Sequence, residues 1–242
     1  MTGRLYGIGV GPGDPELMTL KAHRILRDTH VVAYPQPDTG PSFARSIAAP
    51  YFTAAHLEVP FIVPMDVKRH PAKAVYDQAA ETISHHLDAG SDVVVLCEGD
   101  PFFYGSFMYL HERLAGRYDI EIVPGVSSVM ASAAAIARPL AARNDVLTII
   151  PGPLEDERIR AQIAASEAVA IIKLGRHFAR IRALIAELGL TYSAVYVERV
   201  SLENQKLMPL AEATGDAPYF SMILIYKGAE DWVTGLPPGG RP

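Results

Sequence analysis

The stretch YGIGVGPGDP, Tyr6–Pro15, runs an apolar strand into glycines at every second position, and what such a loop can bind decides how the rest of the chain is read. A dinucleotide loop, G-x-G-x-x-G, needs glycine at position 12, or at 14 when counted from Gly9. Those places hold Pro12 and Asp14. A P-loop needs Gly-Lys-Ser/Thr, and the first lysine is Lys21. The chemistry objects more strongly than the pattern. A phosphate site uses free backbone N–H groups and the positive end of a helix. Pro12 and Pro15 have no N–H, and Asp14 brings a negative charge. Asp14-Pro15 fits the N-cap and first position of a helix. The glycines admit two readings: a backbone lying close against a flat or bulky ligand, or a tight turn.

Outward from this loop, short apolar runs alternate with helix-period segments. RLYGIGV, HVVAY and SDVVVLCEGDP read as strands. PELMTLKAHRILRD reads as a helix with Leu17, Leu20, Ile25 and Leu26 on one side. HPAKAVYDQAAETISHHLDAG is a helix in which Val75, Ala79, Ile83 and Leu87 recur every four residues, and Gly90 is its stop. FYGSFMYLHERLAG is another. This alternation implies βα units and a mostly parallel sheet. From Tyr118 onward, YDIEIVPG, NDVLTIIPGP, EAVAIIKLG, SAVYVERVS and FSMILIYKG read as strands. VSSVMASAAAIA and HFARIRALIAELG read as helices, the second with Phe178, Ile181, Ile185 and Leu188 on one face. Consecutive strands here predict antiparallel pairs and a mixed sheet. The fold class is α/β in two domains, 1–117 and 118–230, with a tail over 231–242.

The chain has 242 residues, 49% hydrophobic and 20% charged, which is ordinary globular composition. A net charge of −5 and a pI near 5.9 argue against a nucleic-acid footprint. The single cysteine, Cys97, forms no intramolecular disulfide, which fits a reducing cytosol. No apolar run reaches membrane-spanning length, and MTGRLYGIGV is too glycine-rich for a signal peptide core. The expectation is a cytoplasmic protein with neither membrane nor nucleic acid as partner.

A second acidic turn repeats the first. After an apolar strand come Glu98-Gly99-Asp100-Pro101 and then a helix. Ends of neighbouring strands in one α/β sheet face one crevice. A crevice lined by Asp14, Glu98, Asp100 and carbonyls suits a cationic ligand, and S-adenosylmethionine carries both a sulfonium and an ammonium. Two capped helices would produce the same spacing. A third strand end, VPGVSSVMA, offers Ser127 and Ser128 as helix caps or as ligand contacts. The eight histidines, His85-His86 included, show no ligand spacing, so no metal site is expected. Cys97 reads as packing.

Taken together, VGPGDPELMTLKA, EGDPFFYGS and VPGVSSVMASAAAI, in this order, resemble the tetrapyrrole methylases, the S-adenosylmethionine-dependent family of cobalamin and sirohaem synthesis. The resemblance runs from about Leu5 to Gly228. YPQPDTGPSFARSIAAPY, IVPM at Ile62–Met65, SFMYLHERL, RPLAARNDVLTIIPG and IIKLGRHFARIRALIAELGL resemble the branch acting on carbon 20 of precorrin-2. EGDP resembles the metal-free rather than the cobalt form of that branch. The resemblance implies a two-domain fold with the active site in the cleft between the domains, a homodimer, and S-adenosylhomocysteine as coproduct. It implies a tetrapyrrole trough at the first loop, with Gly11, Gly13 and Asp14 toward the substrate and Pro12 toward the donor. Gly99, Asp100 and Pro101 would hold the methionine part of the donor, with Phe102, Tyr104, Gly105 and Ser106 lining that side and Ser127 and Ser128 contacting it. Leu174, Glu198, Arg199, Ser221 and Met222 would enclose the adenosine.

The methyl of a sulfonium is electrophilic, and a meso carbon of a reduced tetrapyrrole is electron-rich. Transfer between them needs alignment above all, and no base is assigned for the proton that leaves the carbon. The substrate carries many carboxylates, for which Arg138, Arg143, Arg176, Arg180 and Lys206 are candidate partners. Each also reads as an ordinary solvated charge. Arg176 and Arg180 stand one helical turn apart, as an anion-facing pair would. Two rivals stand beside this reading: another methylase of the same architecture, acting on a different acceptor such as diphthamide or RNA, and a non-catalytic tetrapyrrole carrier. The intact EGDPFFYGS turn speaks against a carrier, which has no use for a methyl donor.

Overall fold

The computed structural model describes residues 1–64 and 69–228, with backbone alone for 69–72. The tail assigned to 231–242 and Met65 of the IVPM stretch lie outside the described residues. The chain divides into two compact units, Met1–Ser128 and the remainder from Val129.

The first unit is a five-stranded, wholly parallel sheet. Its strands are β1 (Leu5–Gly9), β2 (Val31–Pro37), β3 (Leu57–Val63), β4 (Val93–Cys97) and β5 (Ile120–Val123), in the order β3-β2-β4-β1-β5. β4, VVVLC, is buried along its length, as a strand covered on both faces requires. Its side chains alternate between two cores. Val93, Val95 and Cys97 join Leu5, Val31 and Ala33 beneath α3 (Arg69–Asp88) and α4 (Phe107–Leu114). Val94 and Leu96 join Ile8 and Val32 beneath α1 (Leu20–Asp28) and α2 (Phe43–Ile47). The four-residue repeat of α3 does pack inward: Ala79, Ile83 and Leu87 are buried, and Val75 lies against the same core. α3 stops where Gly90 turns left-handed, with Gly90 N donating to Leu87 O and Ser91 N to His86 O.

Two readings change. The segment from Pro15 is not one helix. Asp14 caps a short 3-10 turn, Pro15–Leu17, by accepting from Glu16 N at 2.8 Å. Met18 is then extended, and Thr19 caps α1 separately through Ala22 N. The break shifts the helical phase, so Met18 enters the core and Leu20 is left 88% exposed. The domain boundary also moves. β5 pairs with β1, which places 118–128 in the first unit rather than after a break at 117.

The second unit carries β6 (Leu147–Pro151), β7 (Ala168–Ile172), β8 (Ala194–Glu198), β9 (Lys206–Pro209) and β10 (Ser221–Tyr226), in the order β6-β7-β10-β8-β9. β6 and β7 are parallel; β10 runs antiparallel to both β7 and β8, and β9 antiparallel to β8. The sheet is therefore mixed, as expected. α6 (Asp156–Ala165) and α7 (Phe178–Glu187) contribute Ile159, Ile163, Phe178, Ile181, Leu184 and Ile185 to its core. A further helix, α5 (Ser128–Ala135), opens on Ser128.

Candidate active site

In the first sheet β1 and β4 are neighbours, yet β1 leads to α1 on one face and β4 to α4 on the other. Such a reversal opens a crevice at the carboxyl ends of the two strands. The residues singled out in the sequence stand at this place: Gly11, Pro12, Gly13 and Asp14 after β1, and Glu98, Gly99, Asp100 and Pro101 after β4.

The glycines answer to other backbone. A Cβ on Gly9 would lie 2.5 Å from Gly99 O and 2.6 Å from the Cα of Gly125, and one on Gly125 would run into the same carbonyl. Three strand ends thus meet at van der Waals distance, which a side chain forbids. Beyond them Gly11 and Gly99 pair directly: Gly99 N donates to Gly11 O at 2.8 Å, and Gly11 N to Gly99 O at 3.3 Å. Both have positive φ, +84° and +62°, where an L side chain is strained. The sequence left a ligand or a tight turn as the reason for these glycines; Gly9 and Gly11 add a third, close contact with the protein's own backbone at Gly99 and Gly125.

Asp100 does not cap a helix. Its Oδ1 accepts from Phe102 N at 2.9 Å and Phe103 N at 3.0 Å, and its Oδ2 accepts from Gly125 N at 3.0 Å. One carboxylate therefore folds the turn after β4 and ties it to the loop after β5. Gly105 closes the turn, since a Cβ there would lie 2.4 Å from Pro101 O. α4 starts only at Phe107, with Ser106 before it. The turn leaves aromatic rings outward: Phe102 is 47% and Tyr104 42% exposed. Tyr104 has φ +56°, a conformation that costs a bulky residue about 1–3 kcal/mol. Glu98 is half-buried. Desolvation raises its carboxyl above the usual range, opposed in part by backbone N–H groups of Glu98 and Ala44. Burial, aided by the charges of Glu98 and Asp100, raises the Cys97 thiol. Ser127 and Ser128 follow β5 and are partly buried. From 98 to 106 the chain carries two carboxylates and three aromatic rings and no cation, a donor set that fits a sulfonium or ammonium.

In the second unit, Leu174, Glu198, Arg199, Ser221 and Met222 gather at one end of the sheet. The register sets Ser221 opposite Glu198 and Met222 opposite Ile172. Glu198 is 4% exposed and already engaged: Oε2 accepts from Tyr196 OH at 2.9 Å, and Oε1 pairs with Arg199 and with Lys206 at 3.2 Å. Its carboxylate braces Arg199. Ser221 Oγ donates to Pro218 O at 2.6 Å. Lys173 and Arg199, directly after β7 and β8, both have positive φ, +58° and +50°. Non-glycine residues in this conformation cluster at functional sites.

The expected substrate arginines separate. Arg138 donates to Tyr226 O at 3.0 Å and lies over the Tyr226 ring. That is the opposite end of β10 from Ser221, about 17 Å away along a six-residue strand. Its Nε is buried without a partner, and desolvation lowers its pKa. Arg180 braces the loop after β6, donating to Gly152 O at 2.5 Å and Leu154 O at 3.1 Å and pairing with Asp156. Of the two arginines that stand one helical turn apart, Arg180 is thus committed to the loop after β6. Arg176 is exposed, with Nε 3.4 Å from His177 Nε2. Among the described residues no three His, Cys, Asp or Glu side chains are grouped as a metal would need, and no helix is long and apolar enough to cross a membrane.

The sequence profile of the tetrapyrrole (corrin/porphyrin) methylases matches residues 4–214. The chain is 42% identical to Cobalamin biosynthesis protein CobIJ of Mycobacterium tuberculosis over 93% of its own length and 46% of the relative's. It thus spans about half of that protein. It is 38% identical to Precorrin-2 C(20)-methyltransferase of a Sinorhizobium species, over 92% of this chain and 95% of the relative. The fold is shared with the uroporphyrin-III C-methyl transferase of Thermus thermophilus, whose structure was solved with S-adenyl homocysteine. The TM-score is 0.66 and the identity 24%, over 93% of this chain and 92% of that one.

Proposed function

The chain belongs to the tetrapyrrole (corrin/porphyrin) methylases, and from that premise we propose that it methylates carbon 20 of precorrin-2 with S-adenosylmethionine, giving precorrin-3A and S-adenosylhomocysteine in cobalamin biosynthesis. The observation that carries this reading is the 38% identity to Precorrin-2 C(20)-methyltransferase, which runs along nearly the whole of both chains. On this reading the enzyme is a cytoplasmic homodimer.

The donor supplies an electrophilic methyl group on a sulfonium. In the first unit the turn Gly99–Ser106 grips its methionine portion, and the rings of Phe102 and Tyr104 offer the positive sulfur an aromatic face. Asp100 acts through the backbone, because three N–H groups occupy its oxygens. Ser127 and Ser128 add hydroxyls beside that turn, and Gly11–Asp14 border the macrocycle. In the second unit Leu174, Arg199, Ser221 and Met222 surround the adenosine, with Glu198 bracing Arg199. The work of these residues is alignment, which can supply several kcal/mol of the barrier. Incubation with donor and precorrin-2, followed by mass spectrometry and NMR of the product, tests the reading. One added methyl at carbon 20 is expected. A methyl at another carbon, or turnover only of the cobalt-containing macrocycle, would contradict it.

A further inference from the structure

The edge of the first sheet parts from its centre at the crevice. β2 stays paired with β3 to its end, Pro37 against Val63, but its pairing with β4 stops at Ala33 and Val95. β4 runs on to Cys97, yet Pro35 and Pro37 have no N–H to offer it. α2 packs on both strands beside this parting, with Ala44 and Ile47 buried. Ser42 Oγ donates to Pro35 O at 2.6 Å and accepts from Arg45 N at 3.3 Å. The Ala44 N–H, another of the donors that a helix start leaves over, is turned to the Glu98 side chain. Strand alternation agrees: Cys97 faces the core under α3 and α4, so Glu98 comes out on the side of α2. Arg45 is what ties α2 to the sheet edge. Its guanidinium forks onto Glu58 of β3, Nε to Oε2 at 2.8 Å and Nη2 to Oε1 at 3.0 Å, and it lies over the Phe52 ring at 3.8 Å. Tyr34 OH of β2 donates to the same Oε2 at 2.6 Å. A two-bond fork fixes orientation as well as distance, and a five-residue helix cannot hold its own place.

We propose that Arg45 is a positioning residue for the crevice: by clamping α2 to β3 it holds the Ala44 N–H against the Glu98 carboxylate, next to the Gly11–Gly99 bridge. Its bearing on activity rests on the reading of that crevice as the seat of the donor; the clamp itself rests on the first unit alone. Glu98 depends on such a neighbour. Burial disfavours its charge, and the N–H groups of Glu98 and Ala44 favour it. The titratable groups around it, the Cys97 thiol and Tyr76 of α3, carry no positive charge to take over that part. On the far side of the clamp, Glu58 answers first to Arg45, then to Tyr34 and His56. If the fork is cut, α2 is freed and Glu98 loses a donor that favours its charged form. Its carboxyl then protonates at higher pH than in the intact protein.

The test follows the Glu98 carboxyl by NMR in the full chain carrying carbon-13 glutamate, its signal assigned by its loss in Glu98→Gln. Arg45→Ala should move the Glu98 titration to higher pH. Glu58→Gln, which takes away the charge that the fork grips, should move it the same way, and the double variant no further than the larger single shift, because both cut one clamp. Arg45→Lys, a cation without the fork, should lie between wild type and Arg45→Ala. Affinity for S-adenosylmethionine over the same pH range gives the link to the donor: it should fall as Glu98 protonates, at higher pH in Arg45→Ala than in wild type, and lose this step in Glu98→Gln. A Glu98 titration unmoved in Arg45→Ala would overturn the positioning role, even if the melting temperature drops. Shifts that add in the double variant would overturn it too. Should Arg45→Ala not fold, Arg45→Lys and Tyr34→Phe, which removes one bond to Glu58, decide by the same signal. A wild-type protein that binds no S-adenosylmethionine while its Glu98 signal still answers to Arg45 would sink the donor reading and leave the clamp standing.

Discussion

Asp100 is the side chain whose replacement tests the crevice most directly. Asp100→Ala removes three hydrogen bonds at once. Two of them, to Phe102 N and Phe103 N, are exposed, and water replaces much of their worth. The third, to Gly125 N, is partly buried, and a bond of that kind to a charged group is worth about 1.5–3 kcal/mol. With a smaller contribution from the exposed pair, the loss should be about 2–4 kcal/mol. Asp100→Asn separates the two functions. Its single amide oxygen can keep the bonds to Phe102 N and Phe103 N, but its NH2 then faces Gly125 N, donor against donor. If the tie to the β5 loop shapes the donor pocket, asparagine should behave like alanine in S-adenosylhomocysteine affinity and lie nearer wild type in stability. Denaturant unfolding and calorimetric titration of S-adenosylhomocysteine measure the two quantities. An Asp100→Asn protein with wild-type affinity would refute the claim that this tie shapes the pocket. An Asp100→Ala protein with unchanged unfolding midpoint would refute the hydrogen-bond accounting itself.

Glu98→Gln should raise stability at neutral and higher pH and leave it unchanged in acid. A carboxyl whose pKa is raised by folding contributes stability below its unfolded pKa, and that contribution is lost as pH rises through the folded value; a difference between variant and wild type that grows on acidification would reverse the sign. Gly9→Ala and Gly125→Ala should each cost several kcal/mol or prevent folding, because the new methyl meets backbone that cannot swing aside; thermal melts decide. Arg138→Ala and Arg180→Ala should lower the melting temperature and leave the KM for the tetrapyrrole within about twofold, since the guanidinium groups serve Tyr226 O and the 152–156 loop. A rise in KM beyond about tenfold for either would return that arginine to the substrate site.

Among the strands legible in the sequence, those buried on both faces stand out most plainly. VVVLC and AVAII are uninterrupted apolar runs flanked by turn residues, and a core strand of a covered sheet has little freedom to look otherwise. β3 lies at the sheet edge and is largely exposed, and Pro60 in the middle of its apolar run argues against a strand when read from sequence. β9 is four residues long on the opposite unit's edge and hides for the same reason. α6 has a weakly segregated surface in which only Ile159 and Ile163 are buried. The turns at Asp14 and Asp100 were visible as loci, but their bonding was not. An aspartate before proline reads as a helix cap wherever it occurs. Only the meeting of β4 with β5 shows that Asp100 spends one oxygen on Gly125. The arginines were least legible, because a guanidinium's partners come from distant sequence. Arg138 is spent 88 residues away on Tyr226 and Arg180 28 residues away on Gly152.

On the proposed reading, methyl transfer from a sulfonium to an electron-rich carbon makes a particular demand on a protein, and the first unit would meet it with backbone rather than with acids and bases. Three strand ends are locked by glycines that admit no side chain between them. A cross-bridge joins Gly11 to Gly99, and the Asp100 carboxylate stitches the turn after β4 to the loop after β5. Tyr104 is held in a backbone conformation it would leave if the turn were loose, so the turn stores strain of about 1–3 kcal/mol that its closure on Gly105 sustains. A site built this way has little room to relax about its ligands, and displacement of about 1 Å can cost a hundredfold in rate. The Glu98 carboxyl is raised by desolvation and opposed by N–H groups that favour its charge. That environment describes a structural acid under tension as well as it describes a base. The chemistry asks first for rigidity, and rigidity is what the glycines, the bridged turn and Asp100 provide.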